Sequence, residues 1–234
     1  MSLPFFYISE YEGGPSVTLN EESSRHVVQV LRMKLGEAVN LTDGKGKLLT
    51  CSITDVHKKH CVVRVNHQNQ LPRPIRQVTI ALSLIKNANR FEWFVEKATE
   101  IGVTAIIPLI CERTEKERFR TERMLQICVS AMLQSQQCWL PVLREPVLLA
   151  DYWQQEREKG QHFIAHCERT EKRELSDLID NQTAVRSILI GPEGDFSSEE
   201  ISVALQYQFI PVSLGATRLR TETAGLVAAT LLSR

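Results

Sequence analysis

The 234-residue chain has no apolar run long enough to cross a bilayer, which takes about 20 residues. Met1-Ser2-Leu3-Pro4-Phe5-Phe6-Tyr7 has no basic segment ahead of its apolar residues, which argues against a secretory signal. The cysteines at 51, 61, 111, 128, 138 and 167 form no CxxC pair and no short framework spacing. Reduced, buried thiols in a cytosolic protein are expected instead. Net charge is also absent, with 28 basic and 28 acidic residues. The balance is uneven: residues 1–76 carry ten Lys/Arg against seven Asp/Glu, and residues 77–234 carry eighteen against twenty-one. A mildly basic first part is compatible with nucleic acid without requiring it.

Several site motifs are missing as well. Without GxxxxGK[ST] there is no P-loop, and without GxGxxG after a first strand there is no standard dinucleotide fingerprint. His57 with His60, and His162 with His166 and Cys167, are the only candidate metal sets, and neither has convincing ligand spacing. No Ser-His-Asp or Cys-His arrangement can be argued, and there is no internal repeat or low-complexity segment.

What is present is an ordinary globular composition, 43% hydrophobic and 24% charged. Residues 1–70 read as β-rich, with strands at 38–42, 48–53 and 61–65. Asp43-Gly44-Lys45-Gly46 signals a hairpin with a type I′ turn. One helix is expected at 23–33, with Val27, Val30 and Leu31 at helical spacing. Short strands closing on themselves suggest a small barrel. Arg25, His26, Arg32, Lys34, Lys45 and Lys47 mark either a solvated face or a phosphate-contacting patch. Leu71-Pro72-Arg73-Pro74 reads as a linker, placed at 71–75.

From 76 to 234 strands alternate with helices. Buried strands are expected at 78–85, 103–110, 161–167, 186–190 and 209–214. Helices are expected at 90–101 with Gly102 as C-cap, 121–136, 148–159 and 174–180. Repeated βα units imply a parallel sheet. Two glycine turns stand out, Ile190-Gly191-Pro192-Glu193-Gly194 and Leu214-Gly215, each between a strand and a helix. Ser197 with Glu200 fits a capping box, and Thr221 is expected to cap the last helix. Gly225 inside that helix implies close packing against another backbone. The loops after Cys167, Ile190 and Leu214 should share the carboxyl edge of the sheet, where open α/β sheets bind ligands.

Gly191-Pro192-Glu193-Gly194 and Leu214-Gly215 … Leu219-Arg220-Thr221-Glu222-Thr223-Ala224 closely resemble the signature of the RsmE family. These are SPOUT-class methyltransferases of N3 of a uridine in 16S ribosomal RNA. The resemblance extends to Phe91-Glu92-Trp93, Lys97-Ala98-Thr99-Glu100-Ile101-Gly102, Pro108, Glu112-Arg113, Gln134-Ser135 and Arg25-His26 … Leu31-Arg32-Met33-Lys34-Leu35-Gly36-Glu37.

The resemblance implies an α/β protein with an N-terminal PUA-like β-barrel (1–70) that binds RNA. A SPOUT domain (76–234) with a C-terminal trefoil knot would follow. It implies S-adenosylmethionine as methyl donor and no metal. The donor would be held by His166, Cys167, Ile190, Gly191, Glu193, Gly194, Leu214, Gly215, Arg218, Leu219 and Thr223. Arg220 would stabilise negative charge developing on the base or hold a flanking phosphate, and Glu222 is the weaker candidate for proton acceptor; the alternative for both is a salt bridge at the start of the last helix. Arg25, Arg32, Lys34 and Arg113 would contact RNA. The partners implied are 16S rRNA in the small ribosomal subunit and a second copy in a homodimer, with no membrane and a cytoplasmic location.

The chain departs from the family pattern at three places. Asp195 stands where Gly-Pro-Glu-Gly-Gly has its second glycine, Thr217-Arg218 where Arg-Ile is common, and Gln137 where arginine usually follows Gln-Ser. An RNA-binding protein that has lost catalysis, or a SPOUT enzyme acting on transfer RNA, are the alternatives.

Overall fold

A computed structural model describes residues 3–115, 118–154, 158–168 and 170–234. They form two units, one of residues 1–73 and 132–140 and the other of 74–131 and 141–234.

The first unit is built on strands β1 (Phe5–Tyr7), β2 (Ser16–Thr18), β3 (Ala38–Thr42), β4 (Lys47–Asp55) and β5 (Val62–Gln70). Their order is β1-β3-β4-β5-β2, with β1 parallel to β3 and the other pairs antiparallel. Two three-residue strands therefore occupy the edges, and no ladder joins them among the described residues. The core of this unit is made of Phe6, Leu19, Val27, Leu41, Leu49 and Val63.

The hairpin forms, but not through a type I′ turn. Thr42 pairs with Leu48, and Gly44 and Gly46 have φ of 69° and 90° with Lys45 between them. A type I′ turn needs two consecutive positive φ angles. Here Asp43 Oδ1 instead accepts from the Lys45 and Lys47 amides and holds a longer loop. Trp139 packs against Gly46, and its Nε1 donates to Pro72 O, which ties 132–140 to this unit.

The expected helix at 23–33 begins earlier and ends sooner. Asn20 caps α1 (Glu21–Arg25), which continues as a π-helical turn over His26–Val30. The wider turn moves Val30 and Leu31 off the core face, and both are exposed while Val27 is buried.

The second unit contains, in order, β6 (Gln77–Ser83), α2 (Ala88–Ile101), β7 (Ala105–Ile110), α3 (Thr121–Gln134), β8 (Val142–Leu143), β9 (Val147–Leu148) and α4 (Leu149–Tyr152). There follow β10 (Gln161–Ala165), β11 (Arg173–Glu174), α5 (Leu175–Leu178), β12 (Val185–Ile190), α6 (Ser198–Gln206), β13 (Ile210–Ser213) and α7 (Thr221–Leu232). The helix expected at 148–159 is helical only over Leu149–Tyr152, and its positions 155–157 lie outside the described residues.

The strands pair in parallel in the order β11-β13-β10-β12-β6-β7-β8, with β9 also on β7. Apolar side chains line both faces of this sheet, as a parallel sheet requires. Ala81, Leu109, Ile164 and Leu189 pack with Phe196, Ile201 and Phe209 on one side. On the other side, α7 packs against β6, β12 and α2. Helix α2 forms because Asn87 caps its start, Phe91, Phe94, Val95 and Ala98 make one buried stripe, and Gly102 ends it at φ 94°.

Gly225 packs closely, but against side chains rather than a backbone. A Cβ there would collide with Leu82 Cδ1 and lie 2.7 Å from Phe94 Cε2. Arg220, not Thr221, is the N-cap of α7, and no side chain caps that end.

Arg186 in β12 is fully buried. Its guanidinium donates to the main-chain oxygens of Leu232 and Arg234 (2.7 Å each), Thr183 (3.1 Å) and Asp180 (3.0 Å), and to Asn181 Oδ1 (3.3 Å). These acceptors satisfy a buried cation that would otherwise be costly.

Candidate active site

Because β13, β10, β12, β6 and β7 run parallel, the segments that follow them emerge at one carboxyl edge. The three sequence-singled loops follow β10, β12 and β13, three adjacent strands. This edge gathers His166 and Cys167; Ile190, Gly191, Glu193 and Gly194; and Leu214, Gly215, Arg218 and Leu219. Arg220, Glu222 and Thr223 open α7 directly after the third loop. Arg25, Arg32 and Lys34 belong to the first unit, where all three are exposed and Arg25 pairs with Glu21 at 2.9 Å.

The loop after β12 is held from several sides. Glu193 Oε1 accepts from the Lys86 amide at 3.1 Å, in the segment after β6. From the segment after β7, Arg113 Nη1 donates to Gly194 O at 2.9 Å and Phe196 O at 3.4 Å. The capping box of α6 forms, with Ser197 Oγ accepting from the Glu200 amide and Glu200 from the Ser197 amide. Glu200 also accepts from the Glu112 amide at 2.8 Å. Gly191 and Ile190 are buried beneath this network.

The loop after β10 wraps around one ammonium. Lys172 Nζ donates to His166 O (2.8 Å) and Glu168 O (2.6 Å) and lies 3.5 Å from His166 Nδ1. His166 is buried, and that burial, with Lys172 adding to it, pushes its imidazole below the ordinary value; Asp195 and Glu168 pull the other way. Cys167 is exposed, unlike the other five cysteines, which corrects the expectation of uniformly buried thiols.

The loop after β13 is the open one. Gly215 has φ 119°, and nothing lies within 4 Å of where its Cβ would stand. Its amide is held by Ser213 Oγ at 3.2 Å. Arg218 and Arg220 are exposed, and Leu214, Leu219 and Thr223 are half-buried. Glu222 is buried, and its Oε1 lies 3.7 Å from Arg90 Nε of α2.

Among the described residues no three His, Cys, Asp or Glu side chains converge in a metal-holding group. His57 and His60 stack on each other at 3.6 Å, and His162 bonds Ser187 Oγ and Glu158 O.

Sequence reasoning missed Lys86, Glu112, Glu168 and Lys172, each joined by a bond between main chain and side chain to a residue distant in sequence or in its own loop. The capping-box signature was the only local sign of this network.

An RNA methyltransferase domain model matches residues 71–233, and an RNA methyltransferase PUA domain model matches 19–66. A crystal structure of a probable rRNA-methyltransferase from Porphyromonas gingivalis is 37% identical, covering 97% of this chain and 95% of that one with a TM-score of 0.90. The ribosomal RNA small subunit methyltransferase E of Neisseria gonorrhoeae, solved bound to S-adenosyl methionine, is 30% identical over 97% of this chain and 95% of that one, with a TM-score of 0.86. The Synechocystis protein of the same name is 31% identical over 91% of this chain and 71% of its own. With matches of this extent in both units, the chain belongs to the ribosomal RNA small subunit methyltransferase E family.

Proposed function

We propose that this protein transfers a methyl group from S-adenosylmethionine to N3 of a uridine in 16S ribosomal RNA. The observation that carries this reading is the meeting of three loops from adjacent parallel strands at one carboxyl edge, in a chain of this family. Residues 1–70 serve as the PUA-like RNA-binding unit and 76–234 as the catalytic one, apart from 132–140, which pack with the first; 71–75 lead from one to the other. The family resemblance supports a trefoil-knotted path. So does the passage of the chain from β13, outside β10, to α7, which packs on β6 and β12. The family resemblance also supports a homodimer acting in the cytoplasm.

The residues fit a neutral purine nucleoside bearing a sulfonium. Gly215 offers bare main chain to open space, with Leu214 and Leu219 half-buried beside it. His166, Cys167, Ile190, Gly191, Glu193, Gly194, Arg218 and Thr223 complete the walls that would hold the donor. S-adenosylmethionine supplies an electrophilic methyl group for in-line transfer.

The protein's own task is to orient the uracil and manage the N3 proton. Arg220, exposed at the N-terminus of α7, stabilises negative charge developing on the base, with the helix dipole adding to its effect. Glu222, in the first turn, takes the N3 proton as the methyl transfers. Arg25, Arg32 and Lys34 carry phosphate contacts of the first unit. The base has to be unstacked to reach the site.

The test is methylation of small-subunit rRNA by the purified protein with labelled S-adenosylmethionine, followed by mass spectrometry of the nucleosides. N3-methyluridine is expected. Label on another position or base refutes the target, and a protein that binds rRNA but no S-adenosylmethionine is the catalytically lost adaptor.

A further inference from the structure

Asp195 stands where the resembling family has glycine, and the reaction above makes no use of it. Its φ is 65°, in the left-handed region that aspartate tolerates better than most residues. The turn is kept, since the Asp195 amide donates to Pro192 O at 3.0 Å. The side chain then does something glycine cannot. Oδ1 accepts from the Phe196 amide at 2.9 Å, and Oδ2 accepts from the Cys167 amide at 2.7 Å. The second bond crosses from the loop after β12 to the loop after β10. A reciprocal tie runs from Ser198 Oγ to Glu168 Oε1 at 2.5 Å.

We propose that Asp195 is a positioning residue that fixes the spacing between these two loops, and so presets the pocket for the methyl donor. The inference rests on the reading of the site given above. The charge of Asp195 meets two N–H donors, and charge-assisted bonds of this kind are the stronger class. With glycine at 195 the Cys167 amide loses its acceptor, the loops separate more freely, and binding has to order them. The cost falls on donor affinity rather than on the transfer step.

The test uses full-length Asp195→Gly and Asp195→Asn, with donor affinity from calorimetry and kcat and KM from rRNA methylation. Asparagine keeps the shape but turns an NH2 toward one of the two N–H donors. Both variants should bind S-adenosylmethionine about tenfold more weakly. The KM for the donor should rise in step, with kcat at saturation within about twofold of the unmutated protein. Hydrogen exchange at the Cys167 amide should quicken in Asp195→Gly, which leaves that amide without its acceptor. Melting temperatures establish that the variants fold, and Asp195→Asn carries the test if Asp195→Gly melts early. Unchanged affinity in a folded variant overturns the inference alone, as does a fall in kcat at unchanged affinity. An unmutated protein that binds no S-adenosylmethionine overturns the functional reading and this inference with it.

Discussion

The Arg113 guanidinium donates to the main-chain oxygen of Gly194 at 2.9 Å, so an arginine from the loop after β7 clasps the glycine turn after β12. The family resemblance assigns this residue to RNA. Its geometry commits at least one nitrogen to holding the turn after β12.

Arg113→Gln separates the two roles. A clasp predicts donor affinity about three- to tenfold weaker, by loss of a bond to a charged group. A phosphate contact predicts instead that the slope of log K for RNA against log salt changes by about one. We expect the first result and an unchanged salt slope, measured by calorimetry and by RNA titration at several salt concentrations.

Arg220→Ala should fold and bind S-adenosylmethionine normally while kcat falls by about 10²–10³, the range for removing one preorganised charge stabiliser. Glu222→Gln should also lower kcat, but with activity recovering as pH rises, because solvent then removes the N3 proton. A Glu222→Gln profile parallel to that of the unmutated enzyme would reduce Glu222 to the structural partner of Arg90.

His166 gives a pH signature in stability. Its folded-state pKa is lowered, chiefly by burial and then by Lys172, so the folded protein binds fewer protons than the unfolded chain below the ordinary value near 6.5. Stability from this group is therefore full above that value and declines as pH falls toward the lowered one. His166→Gln should flatten this part of the melting-temperature curve against pH, with little change above pH 7.

Gly225→Ala opposes two effects. Helix propensity gains about 1 kcal/mol. The new methyl group, however, meets Leu82 and Phe94, both fully buried, and overpacking costs about 1–3 kcal/mol. Chemical denaturation should show a net loss of about 1 kcal/mol.

Much of the second unit is legible in local pattern. The apolar runs around Ile80, Ile107 and Ile188 form strands, and Gly102 and Ser197 mark a helix end and a helix start. The strand order is not legible, because the insertion of β10 between β12 and β13 depends on nonlocal pairing. The π-helical turn at 26–30 escaped because a 3.6-residue period was assumed through Leu31. The return of 132–140 to the first unit hangs on Trp139 meeting Gly46, about ninety residues away in sequence. At the site, the glycine turns were visible from their flanking strand and helix patterns. The role of Asp195 is not legible in sequence, because its acceptor role needs the Cys167 amide beside it.

The grip of Arg186 on Leu232 and Arg234 is made entirely to main-chain oxygens. Such a grip is blind to side-chain identity and sensitive to spacing. Substitutions at 232 and 234 leave its acceptors in place, whereas one residue inserted into α7 turns them by about 100° and lifts them about 1.5 Å along the axis. The length of α7 from Thr221 is thus fixed by this main-chain grip, which places no demand on the exposed Arg234 side chain, while Leu232 answers to the core that buries it.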